Sequence, residues 1–145
     1  MITAVDTNVL LDVFCDAAEH TEASAAALRQ AYDRGGLCIH AAVYAELAPQ
    51  FADQSRLDDS LEELGIVLTP DDERVAWQAG RSWQSYRSRG GSKARILTDF
   101  LIAAHAQINA DALLTRDRGF YRQHFRSLLV IDPTEDARHG DLDKP

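Results

Sequence analysis

Short apolar runs recur along this chain, and longer stretches with helical periodicity separate them. Residues 2–5, 37–39, 66–68, 113–115 and 128–131 have the length and composition of buried strands. Between them, residues 8–14, 21–32, 42–51, 55–64 and 100–110 repeat their apolar positions at helical spacing. A further helix opens at Thr69, Pro70, Asp71 and Asp72 and runs to about Arg87, with Val75, Ala76, Ala79, Trp83 and Tyr86 as its apolar face. Alternation of this kind predicts an α/β domain with a mostly parallel sheet covered on both faces, since parallel strands need helical crossovers that pack back onto the sheet. Gly65 marks a helix stop, and Pro49 is expected to end or kink the 42–51 helix. The 145 residues suffice for one domain with a real core. That domain is expected over residues 1–132, followed by a charged, mobile tail at 133–145.

Four acids fall where these elements change. Asp6 follows the first strand, Glu46 lies early in the helix after the second, Asp99 opens the apolar 100–110 helix, and Asp117 follows the fourth strand. Parallel strands share one carboxyl edge, so residues far apart in sequence converge there. Converging carboxylates repel one another unless protons or a cation neutralise them, and oxygen-only donors favour Mg²⁺ or Mn²⁺. Asp6 is the strongest candidate, because a carboxylate ending a buried strand is costly to desolvate without a partner. An Asp there also suits an N-cap, and capping is compatible with metal ligation. Asn8 and Thr115 are placed to support Asp6 and Asp117. His105, inside the apolar helix, reads as a hydrogen-bonded structural histidine, and Cys15 and Cys38 read as two buried thiols.

The stretches Val5-Asp6-Thr7-Asn8-Val9-Leu10, Val43-Tyr44-Ala45-Glu46-Leu47, Thr98-Asp99-Phe100-Leu101-Ile102-Ala103-Ala104-His105-Ala106 and Leu114-Thr115-Arg116-Asp117-Arg118-Gly119-Phe120 together resemble the PIN-domain family, and within it the VapC-type toxins of toxin–antitoxin pairs. The resemblance implies a three-layer α/β/α fold and a metal-dependent ribonuclease, usually a homodimer, silenced by a cognate antitoxin. Asp6, Glu46, Asp99 and Asp117 are then the catalytic and metal-binding acids. Gly119 stands where the family's last motif often carries a further acid, which leaves four acids here. A phosphoacceptor domain also collects acids at a sheet edge, but it expects a second acid beside Asp6, where this chain has Thr7. A silent PIN-like protein that only binds RNA or antitoxin is the other alternative.

Net charge is −8, which by itself opposes a nucleic-acid partner. Its distribution does not. Between positions 81 and 126 nine Lys and Arg residues face three acids, a local balance of +6 that leaves −14 for the rest. Arg95, Arg116 and Arg118 lie within four residues of these acids, and with Lys93 they are the expected RNA-binding cations. Trp77, Trp83 and Tyr86 fit a core or dimer interface better than base stacking. No apolar run reaches the length of a membrane span and no signal-like N-terminus is present, so a cytoplasmic protein is expected.

Overall fold

In the computed structural model, which describes residues 1–15, 19–92 and 95–135, the chain begins with the middle strand of its sheet. Strand β1 (Thr3–Val5) is flanked by β2 (Leu37–Ile39) and β4 (Ala112–Leu114), with β3 (Ile66–Leu68) and β5 (Val130–Ile131) outside them. All four pairings are parallel, in the order β3-β2-β1-β4-β5. Helices α1 (Thr7–Phe14), α2 (Thr21–Arg34), α3 (Ala41–Leu47), α4 (Gln54–Glu63), α5 (Glu73–Ser88), α6 (Leu97–Asn109) and α7 (Arg118–His124) complete a three-layer α/β/α domain. The expected fold class holds. Every residue of β1, β2 and β4 is buried, as continuous apolar runs in a doubly covered sheet must be. Helix α6 buries Phe100 and the whole 102–106 stretch, which is apolar except for His105.

Several local expectations need correction. Helix α3 ends at Leu47, and Ala48–Gln50 forms a 3₁₀ turn, because Pro49 has no N–H to continue the α-helical ladder. Thr69 and Pro70 lie outside α5; its N-cap is Asp72, whose side chain accepts from the Arg74 N–H. The Thr69 hydroxyl instead meets Nε2 of His105 at 2.8 Å, which makes His105 the buried structural histidine expected. Ala76 and Trp77 are exposed, so the buried face of α5 narrows to Val75, Ala79 and Tyr86. Cys38 is buried, but Cys15 is only half-buried. Gly65 does end α4, at φ +71°, and a Cβ there would stand 2.5 Å from the Tyr32 ring. Asp132 is buried and accepts from the Thr134 N–H and hydroxyl, while Arg122 pairs with Glu135, so the chain stays attached through residue 135. Residues 136–145 of the expected tail lie outside the described residues. Among the described residues no helix is long and apolar enough to cross a membrane.

Candidate active site at the carboxyl edge of the sheet

The chain lays down β1, β2 and β3 in one direction and then returns to place β4 on the far side of β1. The crevice between the carboxyl ends of β1 and β4 is therefore the topological switch point, where α/β sheets leave room for a ligand. Asp6 enters it first. Its N–H donates to the Leu114 carbonyl at 2.9 Å, which extends the β1–β4 ladder by one residue and sets Asp6 beside Thr115. The Asp6 carboxylate then accepts from the Thr115 hydroxyl at 2.7 Å, the Thr7 N–H at 2.7 Å and the Asn8 amide at 3.3 Å. Capping of α1 and placement in the crevice are thus one arrangement.

Burial is not fully offset by those donors. Desolvation pushes the Asp6 pKa up to about 6, and the charges of Asp99 and Glu46 push it the same way against the Thr115 and Thr7 hydrogen bonds. Asp99, half-buried in the first turn of α6, is also raised, chiefly by desolvation, with Arg95 opposing and Asp117 and Glu46 adding to the rise. Asp6 therefore senses the charges of Asp99 and Glu46, and Asp99 those of Asp117 and Glu46, across the crevice. Glu46 is exposed and is oriented by the Thr7 hydroxyl, which donates to its Oε1 at 2.9 Å. Asp117 is held by a turn in which its N–H donates to the Thr115 hydroxyl at 3.0 Å. Thr115, fully buried, thus touches both acids, and Asn8 braces the same point by donating to Thr115 Oγ1 at 3.2 Å and accepting from the Arg116 N–H.

The cations sit differently from the expectation drawn from their sequence positions. Arg95 pairs with both oxygens of Asp117, lies 3.9 Å from Asp99 and stacks 4.2 Å from the Phe120 ring centroid. It stands among the acids rather than apart from them. Arg116 grips Asp12 through two hydrogen bonds of 2.6 and 2.9 Å, and Asp12, almost wholly buried, also accepts from Ser24 at 2.7 Å. Arg118 pairs with the buried Asp132 at 2.9 Å. Lys93 lies outside the described residues.

Two residues of the site escaped the sequence reading. Thr7 orients Glu46. Tyr121 is buried, and desolvation first, then the charges of Asp6, Asp99 and Asp117, drive its phenol far above the ordinary range. Its signal was available, since Tyr121 falls one helical turn after Asp117.

The donor chemistry fits a hard divalent cation. Every candidate ligand atom is a carboxylate oxygen, and the buried Asp6 charge lies beside two others of the same sign. Among the described residues no three acids are close enough to hold an ion as they stand. The guanidinium of Arg95 lies between Asp117 and Asp99 in this arrangement.

An α/β domain with an acidic switch-point crevice is the class of protein this defines. The PIN-domain family model matches residues 3–125, and the chain belongs to that family. No curated protein sequence matches it significantly. Among solved structures it resembles VapBC-1 from nontypeable Haemophilus influenzae, with a TM-score of 0.71 at 22% identity over 93% of this chain and 100% of that one. It also resembles VapBC2 from Rickettsia felis bound to a promoter DNA fragment, with a TM-score of 0.69 at 18% identity over 91% and 98%. A third is FitAB bound to the IR36 DNA fragment, with a TM-score of 0.64 at 24% identity over 92% and 95%.

Proposed function

We propose that this chain is a Mg²⁺- or Mn²⁺-dependent endoribonuclease and the toxin of a toxin–antitoxin pair. The observation that carries the proposal is the gathering of acids from four separate elements at the switch point, where Asp6 lies within charge range of Asp99 and Glu46, and Asp99 within range of Asp117 and Glu46. When bound, a divalent cation supplies Lewis acidity that activates water and offsets charge developing on the phosphodiester. Asp6, Glu46, Asp99 and Asp117 would hold it. Thr115, Thr7 and Asn8 fix the carboxylates in place. Arg95 balances Asp117 and Asp99 in the metal-free protein and, once displaced, is positioned to meet a substrate phosphate through its paired donors.

The structural likeness to VapBC and FitAB complexes supports a cognate antitoxin as the partner. Such a partner would silence the site most directly by presenting an Arg to the acids, since a bidentate guanidinium satisfies carboxylates and excludes metal. A homodimer is supported by the exposed apolar side chains Trp77, Ile96 and Leu97.

The test is cleavage of a mixed RNA pool by purified protein in Mg²⁺, in Mn²⁺ and in excess chelator. Metal-dependent internal cleavage that disappears in Asp99→Asn is the expected result. Cleavage that survives both chelator and substitution would overturn the proposal.

A further inference from the structure

A second feature lies on the far side of Phe120 from the acids. Three adjoining depressions, of about 420, 780 and 440 Å³, run along the junction of α5 with α7, and Arg89 and His124 line all three. Their walls carry Arg81, Arg89 and Arg126 together with neutral donors such as Ser82, Ser85 and Gln123, and among the described residues no Asp or Glu. In a chain with 23 acids and a net charge of −8, a carboxylate-free groove of this extent is unusual. Arg74, Arg95, Arg116, Arg118 and Arg122 each pair with an acid. Among the described residues Arg81, Arg89 and Arg126 do not, and Arg81 is engaged only by the Trp77 ring, 5.8 Å away.

Phe120 links the acidic crevice to the groove. Arg95 is stacked on it, and its ring packs tilted against that of His124 with centroids 5.2 Å apart. His124 is also held edge-on by Tyr86 at 5.0 Å. His124 thus bridges Phe120, which carries Arg95, to the groove that it lines together with Arg89.

We propose that this groove binds the sugar–phosphate backbone of single-stranded RNA beside the cleavage site, with Arg89 and Arg126 as its principal phosphate contacts. The proposal rests on the ribonuclease reading for the identity of its ligand. Unpaired guanidinium groups clustered without counter-charges repel one another, and a polyanion relieves that repulsion while releasing its own counterions. From Gln78 to Arg89 the α5 edge runs roughly 17 Å, room for several stacked nucleotides at about 3.4 Å each, which a lone phosphate ion would not fill. Neutral hydroxyl and amide donors between the cations suit ribose hydroxyls and exposed base edges, as single-stranded RNA recognition requires.

The experiment measures binding of a fluorescent single-stranded RNA to the full chain in chelator, across a salt series, so that cleavage does not intervene. Arg89→Gln/Arg126→Gln should bind about tenfold or more weakly, with a salt slope flatter by about 1.4, or about 0.7 for each phosphate no longer neutralised. Arg29→Gln/Arg56→Gln, on α2 and α4, should behave as wild type. Arg89→Lys/Arg126→Lys should restore the slope, which excludes misfolding as the cause. An unchanged slope in the Gln variant, or no RNA binding by wild type, overturns the groove. Equal affinity and equal sensitivity for duplex DNA overturns its assignment to single-stranded RNA. A groove effect on RNA binding without any metal-dependent cleavage would reject the nuclease reading alone.

Discussion

Replacing Asp6 with Asn should make the metal-free protein more stable, although it destroys the site. Asp6 is 6% exposed, and its pKa stands near 6 against an ordinary value of 3.8. A rise of about 2 units corresponds to roughly 3 kcal/mol of folding free energy at a pH where the carboxylate is ionised in both states. The sign follows from the proton balance. Below about pH 4 Asp6 is neutral folded and unfolded, and its burial carries no ionic penalty. As pH rises from about 4 through 6, the unfolded chain ionises first, and stability is lost until the folded group ionises too. Asn keeps the cap on Thr7 but offers the Thr115 hydroxyl no carboxylate, a loss of about 1 kcal/mol. The net expectation is therefore a gain of about 2 kcal/mol at pH 8, roughly 5 °C in Tm, and a loss of about 1 kcal/mol near pH 4. Thermal melts of wild type and Asp6→Asn in chelator, from pH 4 to pH 8, measure both ends. Mn²⁺ at about a hundred times its Kd should then restore the wild type by about 2.7 kcal/mol and the variant by much less. If Asp6→Asn is the less stable protein at pH 8 in chelator, or if the difference between the two does not change with pH, the account of Asp6 as an uncompensated buried charge is refuted.

Arg95→Ala should bind Mn²⁺ about three- to tenfold more tightly by calorimetry, because the guanidinium that contacts Asp117 and Asp99 no longer has to leave. Its stability in chelator should fall by less than about 1 kcal/mol, since Arg95 and Asp117 are each about a third exposed and water screens the pair; unchanged metal affinity would show that Arg95 does not compete. Arg116→Ala should instead cost about 2–4 kcal/mol in urea denaturation, by leaving the buried Asp12 with Ser24 but no cation, while Mn²⁺ affinity stays within about twofold. A large loss of metal affinity in that variant would return Arg116 to the active site.

Strand and acid positions were legible because they depend on patterns a few residues long. Three buried residues followed by Asp6, or by Thr115 and Asp117, announce a strand end at a sheet edge wherever the rest of the chain goes. Boundaries that depend on tertiary partners were less legible. Thr69 looks like a cap until His105 takes its hydroxyl, and Asp72 then supplies the cap four residues from the strand end. Helix α7 was hidden because Asp117-Arg118-Gly119 has turn chemistry and its one turn of apolar residues, Phe120 and Tyr121, is stabilised by packing rather than propensity. Spacing alone groups Trp77 with a core or interface face, yet α5 is partly covered and leaves it 71% exposed.

The cations show where sequence proximity misleads. Arg95, Arg116 and Arg118 lie within four residues of a proposed catalytic acid, and each is held by a carboxylate in the folded chain: Asp117, Asp12 and Asp132. A guanidinium near a partly desolvated acid has more to gain from pairing with it than from remaining free, so acids of this kind draw in the nearest arginines and neutralise them within the fold. Among the described residues Arg81, Arg89 and Arg126 pair with no acid, and unpaired charge is what a phosphate backbone recognises. The described cations of residues 81–126 thus include two populations. Arg95, Arg116, Arg118 and Arg122 pair with acids, and Arg81, Arg89 and Arg126 line the groove. Local charge in the sequence correctly marks the segment, but only the pairing pattern in three dimensions separates cations that build the site from cations free to attract a substrate to it.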